Sequence, residues 1–600
     1  MKGRGNATRG GAKACWLVAA LILFLLPRLP GLALTLTVSN TVAGKTPQYI
    51  GGNEGAAFRA SDLQDSGMNL YRVWATMGEL EYYDDDWVSA GYPGWPTYPT
   101  STYYGTPTIA QIKADPGVIP WSVWSNAFAR ARWTGAVSFK DVLAGCRAAG
   151  VEPLLVLRPR GPGEEWITWI PGAPDGEAFW AEWWEYCFAV AHWCNVSNNW
   201  GITHFEVHNE PDLSAQGWTG TASQYVQLVT SAHDALAFAN SAAGLPVYLH
   251  APQVSDYGSS YLSYSLDHAD TNIDVVDYHV YDKYHSLTAS IASVKGTVLS
   301  HNPDGVAEPV WISEWGDLDG QYDTVARGLL TAQHLCQMAQ GGITGAAIFM
   351  CYDWGAAQSG LISTNFVPYD SYYAFRLVLQ GLGGGRDILE AGSSDPSKQV
   401  IVTRNATGVW VLAVAVGTNV DVDLSQAGYH WATAETREYS ATHKDVPTGT
   451  LRLTNGVLSL DCSTQQVIGA FLSADQLDTD DDGMHDSWEL LFFPSLTNAD
   501  SASDYDQDEF PDLHEFLAGT SPTDSSSLLR ISGVAHPDPA AFIICWPSAS
   551  SRVYGVQGCA DLAGGFADLT NGLSATWPEN SFTDAVDALP ARFYRIQLEP

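Results

Sequence analysis

Hydrophobic positions fall into two alternating rhythms between about residues 47 and 380. Short apolar runs of four to eight residues read as strands: 47–52, 69–74, 153–158, 203–210, 246–251, 274–281, 309–315 and 344–351. Longer stretches with helical spacing lie between them, among them 139–149, 176–194, 221–240, 287–299 and 322–339. Eight strands, each followed by helical sequence, predict a (β/α)8 TIM barrel rather than an open doubly wound sheet, because no glycine-rich phosphate fingerprint follows the first strand. A long Trp-, Tyr-, Pro- and Gly-rich insertion, about 78–137, follows the second strand. In a barrel that loop sits on the face where sites are built, so Trp87, Trp95, Trp121 and Trp124 are candidates either to line a cleft or to pack the loop down.

The helical rhythm fades after about residue 382. Short strands at 397–403, 408–416, 450–460 and 465–472 predict a β-sandwich over 383–475. An Asp-rich spacer, 476–525, leads to a last small β domain, 526–600, with strands at 541–546, 552–557 and 592–597. At the other end, residues 1–33 read as a signal peptide, leaving 34–382 for the barrel. Lys2, Arg4, Arg9 and Lys13 precede the apolar run Cys15–Leu26, and small residues Gly31 and Ala33 follow it. Twelve apolar residues are too few to span a bilayer, so the expectation is a secreted or cell-surface protein without membrane insertion.

Composition narrows the partners. The net charge is −37, from 29 Lys plus Arg against 66 Asp plus Glu, which argues against nucleic acid or a densely anionic polymer. The 23 Trp among 600 residues suit either cores or the flat aromatic faces of sugar clefts, including Trp410, Trp431 and Trp546 of the β domains. Eight Cys lie beyond the signal segment without a paired zinc spacing. Most read as buried thiols, with Cys545 and Cys559 the one pair to consider for a bridge.

Chemistry concentrates at two strand ends. In His204-Phe205-Glu206-Val207-His208-Asn209-Glu210-Pro211 the alternation, continued through Asn209, puts Glu210 on the face of Glu206 and His208, and Pro211 ends the strand. The seventh strand ends Ile312-Ser313-Glu314-Trp315-Gly316, placing a second carboxylate across the barrel mouth. Two carboxyl groups facing one glycosidic bond are what glycoside hydrolysis needs, one protonated to release the leaving oxygen and one charged at the anomeric carbon.

With these paired motifs the chain resembles the large clan of retaining glycoside hydrolases built on (β/α)8 barrels, over about residues 45–380. Families 39 and 5 are nearest, by the FEVHNEPDL and SEWG wording respectively; His208 stands where family 39 often has Trp. The resemblance implies Glu210 as acid/base and Glu314 as nucleophile. It implies Arg72 as the cation beside the nucleophile and Asn209 as the amide on the sugar 2-hydroxyl. His279 and Tyr281 would orient the catalytic pair, and Trp354 would be the platform beneath the sugar. Glu206 reads as structural. The expected substrate is a neutral poly- or oligosaccharide, with no cofactor for catalysis. The competing reading is a non-catalytic carbohydrate-binding or surface protein on the same barrel. Metal-dependent hydrolysis is disfavoured by the lack of an HExxH spacing.

The spacer carries two loops with the EF-hand arrangement of oxygen ligands. Asp478, Asp480, Asp482, Asp486 and Glu489 occupy positions 1, 3, 5, 9 and 12, with Gly483 at 6. Asp504, Asp506, Asp508, Asp512 and Glu515 repeat the pattern 26 residues on, with Glu509 at position 6 and an altered turn or weaker binding expected there. The segment resembles the calcium-binding spacers of secreted enzymes, akin to thrombospondin type 3 repeats, and implies structural Ca2+.

Overall fold

The computed structural model describes residues 33–80, 107–129, 137–159, 177–216, 218, 220–281, 286–301, 305, 307–317, 320–354, 358–394, 398–427, 431, 433–480, 482–538, 541–549, 552–576, 578–585 and 592–599. The proposed signal segment before residue 33, and Trp87 and Trp95 of the insertion, lie outside the described residues.

Eight parallel strands form the central sheet: Tyr49–Asn53, Leu70–Thr76, Glu152–Arg158, His204–Val207, Tyr248–His250, Val276–Tyr281, Val310–Gly316 and Gly345–Ile348, here numbered one to eight. Strand one pairs with both two and eight, and single bridges His250–Val275 and Val254–Tyr278 join strand five to six, closing the barrel. Strand one is thin because its neighbours press close. A Cβ on Gly51 would stand 1.7 Å from the Leu70 carbonyl oxygen. The helices follow from ordinary end signals. Ala222–Ala243, for example, opens with a capping box of Thr221 and Gln224 and closes on Gly244 in the left-handed region.

One sequence expectation is corrected. Residues 34–45, assigned to the barrel, form a strand of the nine-stranded sheet that follows it, antiparallel to Asp387–Ser393 and parallel to Val420–Asp423. Leu458 and Leu460, at one end of that strand order, share a core with Leu472 near the other, so the sheet folds over on itself into two layers. Its outer face docks on the barrel, where Trp410 and Leu412 pack with Phe375 and Leu377 of helix Asp370–Leu382. Arg376 of that helix reaches Asp445 at 2.5 Å. The last 75 residues hold two three-stranded sheets around Ile544, Trp546, Tyr554 and Val556. Trp410, Trp431 and Trp546 are all buried, so of the two readings open to the β-domain tryptophans the core one holds. Trp124 is likewise buried and Trp121 stacks on His192, so these two pack the insertion down. The eight cysteines among the described residues are unbridged, Cys545 and Cys559 included.

Candidate active site

The local backbone departs from simple alternation at both carboxylates. Strand four stops at Val207, and His208 and Glu210 adopt φ of 71° and 49°, a left-handed conformation uncommon for non-glycine residues. His208 therefore does not share a strand face with Glu210; its Nδ1 meets the Asn209 carbonyl and its ring packs edge-on to Trp218. In strand seven the register slips at Ser313, so that Glu314 stands directly opposite His279 of strand six. A bulge of this kind re-aims one side chain, here Glu314 into the barrel mouth.

The side chains converge around a buried guanidinium. Arg72 Nη1 donates to Glu314 Oε1 at 2.5 Å and to Asn53 Oδ1 at 2.7 Å. Its Nε donates to Glu206 Oε2 at 2.6 Å and its Nη2 to Asn209 Oδ1 at 2.8 Å. Tyr281 donates its hydroxyl to Glu314 Oε2. His279 Nδ1 lies 2.8 Å from Glu210 Oε1 and 3.5 Å from Glu314 Oε2, bridging the two carboxylates. Glu210 and Glu314 are 6% and 4% exposed, enough to meet a ligand from the mouth while Arg72 and His279 are sealed. Trp354, just beyond strand eight, is 47% exposed and offers its ring to solvent.

Burial alone would push the Glu314 carboxyl up. The charges of His279 and Arg72, with the hydrogen bonds from Tyr281 and Arg72, outweigh it and hold Glu314 below the usual carboxylate range. Burial opposes a charge on His279, but the Glu314 and Glu210 carboxylates raise it to about 9. One oxygen or nitrogen from each of Glu210, His279 and Glu314 lies within 4.8 Å of the others, close enough to converge on a cation. Both Glu314 oxygens and His279 Nδ1 already have protein partners, while His279 Nε2 is buried without one.

Six residues read from the sequence thus meet in one cluster: Arg72, Asn209, Glu210, His279, Tyr281 and Glu314. One partner was missed, and a second had been given a structural role. Asn53 closes strand one, accepting from Arg72 and donating to the Ser313 carbonyl at 2.8 Å. A polar residue ending an apolar strand was its signal, and the predicted strand stopped one residue short. Glu206, read as structural, is the second carboxylate on Arg72.

In the spacer the two loops fold alike. Asp478 accepts from the amides of Asp482 and Gly483, and Asp504 accepts from those of Asp508 and Glu509. Glu509 takes φ 75° where Gly483 takes 93°, so the turn expected to differ is kept by a residue that adopts it at some strain. Asp478, Asp480 and Asp482 each bring an oxygen within 4.8 Å of one another, as do Asp504, Asp506 and Asp508. Glu489 is fully buried with neither carboxylate oxygen hydrogen-bonded. Both oxygens of Asp486 and of Asp512 accept hydrogen bonds, from Thr479 in the first loop and from Ser503 and Tyr505 in the second, as both oxygens of Asp478 and Asp504 do. They tie the loops down.

No family model matches the sequence, and no curated protein matches it. Solved structures do match. A glucosidase from Croceicoccus marinus aligns with TM-score 0.53 at 13% identity, covering 74% of this chain and 99% of its own. A glycoside hydrolase family 30 endoxylanase from Clostridium papyrosolvens aligns with TM-score 0.51 at 14% identity over 73% of this chain and 100% of its own. A family 39 β-xylosidase from Caulobacter crescentus gives 0.50 at 14%, covering 73% and 99%. At such identities the likeness is one of fold. The protein has the barrel fold of glycoside hydrolases, with a β-rich region following the barrel.

Proposed function

We propose that the protein is a glycosidase that cleaves O-glycosidic bonds with retention of configuration. The observation that carries this is the carboxylate pair: Glu210 and Glu314 bring oxygens within 4.8 Å of one another at the barrel mouth. Nearest oxygens this close are compatible with the roughly 5–5.5 Å carboxyl separation of a retaining pair. Glu314 is held ionised by Arg72 and Tyr281, while Glu210 has the His279 imidazole as its polar partner.

Glu314 attacks the anomeric carbon as Glu210 delivers its proton to the leaving oxygen, giving a glycosyl-enzyme ester. Glu210, now ionised, takes a proton from water as that water attacks the same carbon, and Glu314 leaves as carboxylate. Arg72 steadies the Glu314 charge before and after the ester forms. Asn209 presents its Oδ1 to Arg72, which leaves its amide N–H groups to donate to a sugar hydroxyl. Trp354 supplies an exposed aromatic face for the sugar ring.

The substrate class is a neutral glycan. The net charge of −37 disfavours acidic polymers, and the neighbours named as β-xylosidase, endoxylanase and glucosidase make xylosides, xylan and glucosides the first panel. Release of reducing sugar from that panel by wild-type protein, lost on Glu314→Gln, tests the reading. Binding without turnover would favour the non-catalytic alternative. Export through the N-terminal segment places the enzyme among extracellular glycans, and sequencing the mature N-terminus from an exporting host checks it.

The spacer is proposed to hold structural Ca2+. Asp478, Asp480, Asp482, Asp486 and Glu489 would bind one ion, and Asp504, Asp506, Asp508, Asp512 and Glu515 another. The buried, unpartnered Glu489 carboxylate is the observation that calls for a cation, since a charge buried without a partner is costly. Such an ion neutralises the acidic loops and performs no catalysis.

A further inference from the structure

Beneath the carboxylate pair, the barrel interior contains a second set of ionisable groups that the proposed chemistry does not use. Glu206 on strand four and Asp277 on strand six are both fully buried, and their carboxyl groups lie within hydrogen-bonding reach of one another. Glu206 gives Oε2 to Arg72, while its Oε1 has no N–H or hydroxyl donor. Asp277 accepts from the Ser313 amide at 3.0 Å through Oδ1, and its Oδ2 lies 3.3 Å from His250 Nδ1. Two carboxylates in contact without a donor between them repel; one proton placed between them turns the contact into a hydrogen bond.

We propose that Glu206 and Asp277 share a single proton and together hold Glu314 in position from below by two routes. Glu206 fixes the Arg72 guanidinium, whose other edge rests on Glu314. Asp277 fixes the backbone N–H of Ser313, the residue at which the strand slips to aim Glu314 into the mouth. The pair are thus positioning residues, and the inference rests on Glu314 being the nucleophile.

Charge balance supports one shared proton. The ionisable groups around the pair are Arg72 from strand two, His250 from strand five and Tyr225 from the helix after strand four, with His204 beyond His250, and Glu314 and His279 beyond Arg72. Burial drives His250 down to about 3 and His204 to about 2, so both are neutral, and burial holds the Tyr225 phenol protonated. Arg72 and His279 are the two cations, against the four carboxyls Glu206, Glu210, Asp277 and Glu314. One proton in the lower pair lowers the excess of buried negative charge. Each further unbalanced charge in such a place would be costly. In the same sense, burial raises the Glu206 carboxyl to about 7, with Arg72 opposing and Asp277 adding to the rise.

The test compares Glu206→Gln with Glu206→Leu on an aryl glycoside that the wild type hydrolyses. Glutamine reproduces the shared-proton state, accepting from Arg72 and donating to Asp277. It is expected to keep kcat within about threefold, with the acid limb of kcat/KM unmoved. Leucine fills the space but leaves Arg72 Nε without its acceptor. It is expected to lower kcat about tenfold or more at little-changed KM and to raise the acid limb by about one pH unit. A glutamine variant with kcat down tenfold, or with its acid limb displaced, would overturn the shared proton even if the leucine variant failed to fold. A wild type silent on every glycoside refutes the glycosidase reading separately. The crystal structure of the leucine variant then decides the brace: Arg72 displaced from Glu314 supports it, and Arg72 unmoved overturns it.

Discussion

Replacing Arg72 by lysine keeps a buried cation and removes the fork. Arg72 is fully buried and reaches four acceptors on three other strands or strand ends: Asn53, Glu206, Asn209 and Glu314, at 2.5–2.8 Å. A lysine ammonium has three donors at one point and cannot span this set. At least one carboxylate contact is lost, and a charge-assisted hydrogen bond contributes about 1.5–3 kcal/mol. If about 2–3 kcal/mol of that is felt when Glu314 passes from carboxylate to ester and back, kcat falls about 30- to 150-fold. Alanine is the poorer probe, because stranding two buried carboxylates costs about 3–5 kcal/mol and endangers folding. The lysine variant also reports on protonation. Glu314 acts as the carboxylate, so activity is lost as pH falls through its pKa; Arg72 is one of the groups holding that pKa down. Weakening the contact must move the acid limb of kcat/KM to higher pH. The assay is kcat/KM against pH on an aryl glycoside, with the melting temperature followed in parallel. A folded Arg72→Lys enzyme within threefold of wild type and with an unmoved acid limb would refute this account of Arg72.

Further predictions concern the other parts of the site and the spacer. Glu210→Gln should lose about 10²–10⁴ in kcat on poor leaving groups and much less on nitrophenyl glycosides, which leave without protonation; equal loss on both would remove Glu210 as the acid. His279 binds its proton more tightly folded than unfolded, so its contribution to stability is full below about 6.5 and lost as pH rises through about 9, a difference of roughly 3 kcal/mol. Wild type should therefore lose more stability than His279→Gln over that window in urea titrations; parallel curves would contradict the charge on His279. Trp354→Ala should raise KM while leaving the melting temperature within a degree or two, since the ring is 47% exposed; an unchanged KM across the glycoside panel would take Trp354 out of the cleft. Equilibrium dialysis should find bound Ca2+ at millimolar free ion, reduced by Glu489→Gln, and none bound would end the calcium proposal.

The barrel and six of its site residues were legible because they depend on strand periodicity and on side chains that end strands. What was not legible depends on where backbones bend and what lies across the barrel. Alternation placed Glu210 on one face with Glu206 and His208, whereas left-handed turns at His208 and Glu210 separate them. The slip at Ser313 leaves no mark in ISEWG, yet it sets Glu314 opposite His279. Residues 34–45 alternate as strands of either domain would, and only pairing with Asp387–Ser393 and Val420–Asp423 assigns them to the second sheet. Glu206 looked structural because its partner, Arg72, is 134 residues away in sequence.

The most direct measurement is the anomeric configuration of the first product formed, followed by proton NMR during hydrolysis of a glycoside from the panel. The pairing of Glu210 with Glu314 predicts a product that initially keeps the configuration of the substrate, before mutarotation. An initial product of inverted configuration would contradict the assignment of Glu314 as nucleophile.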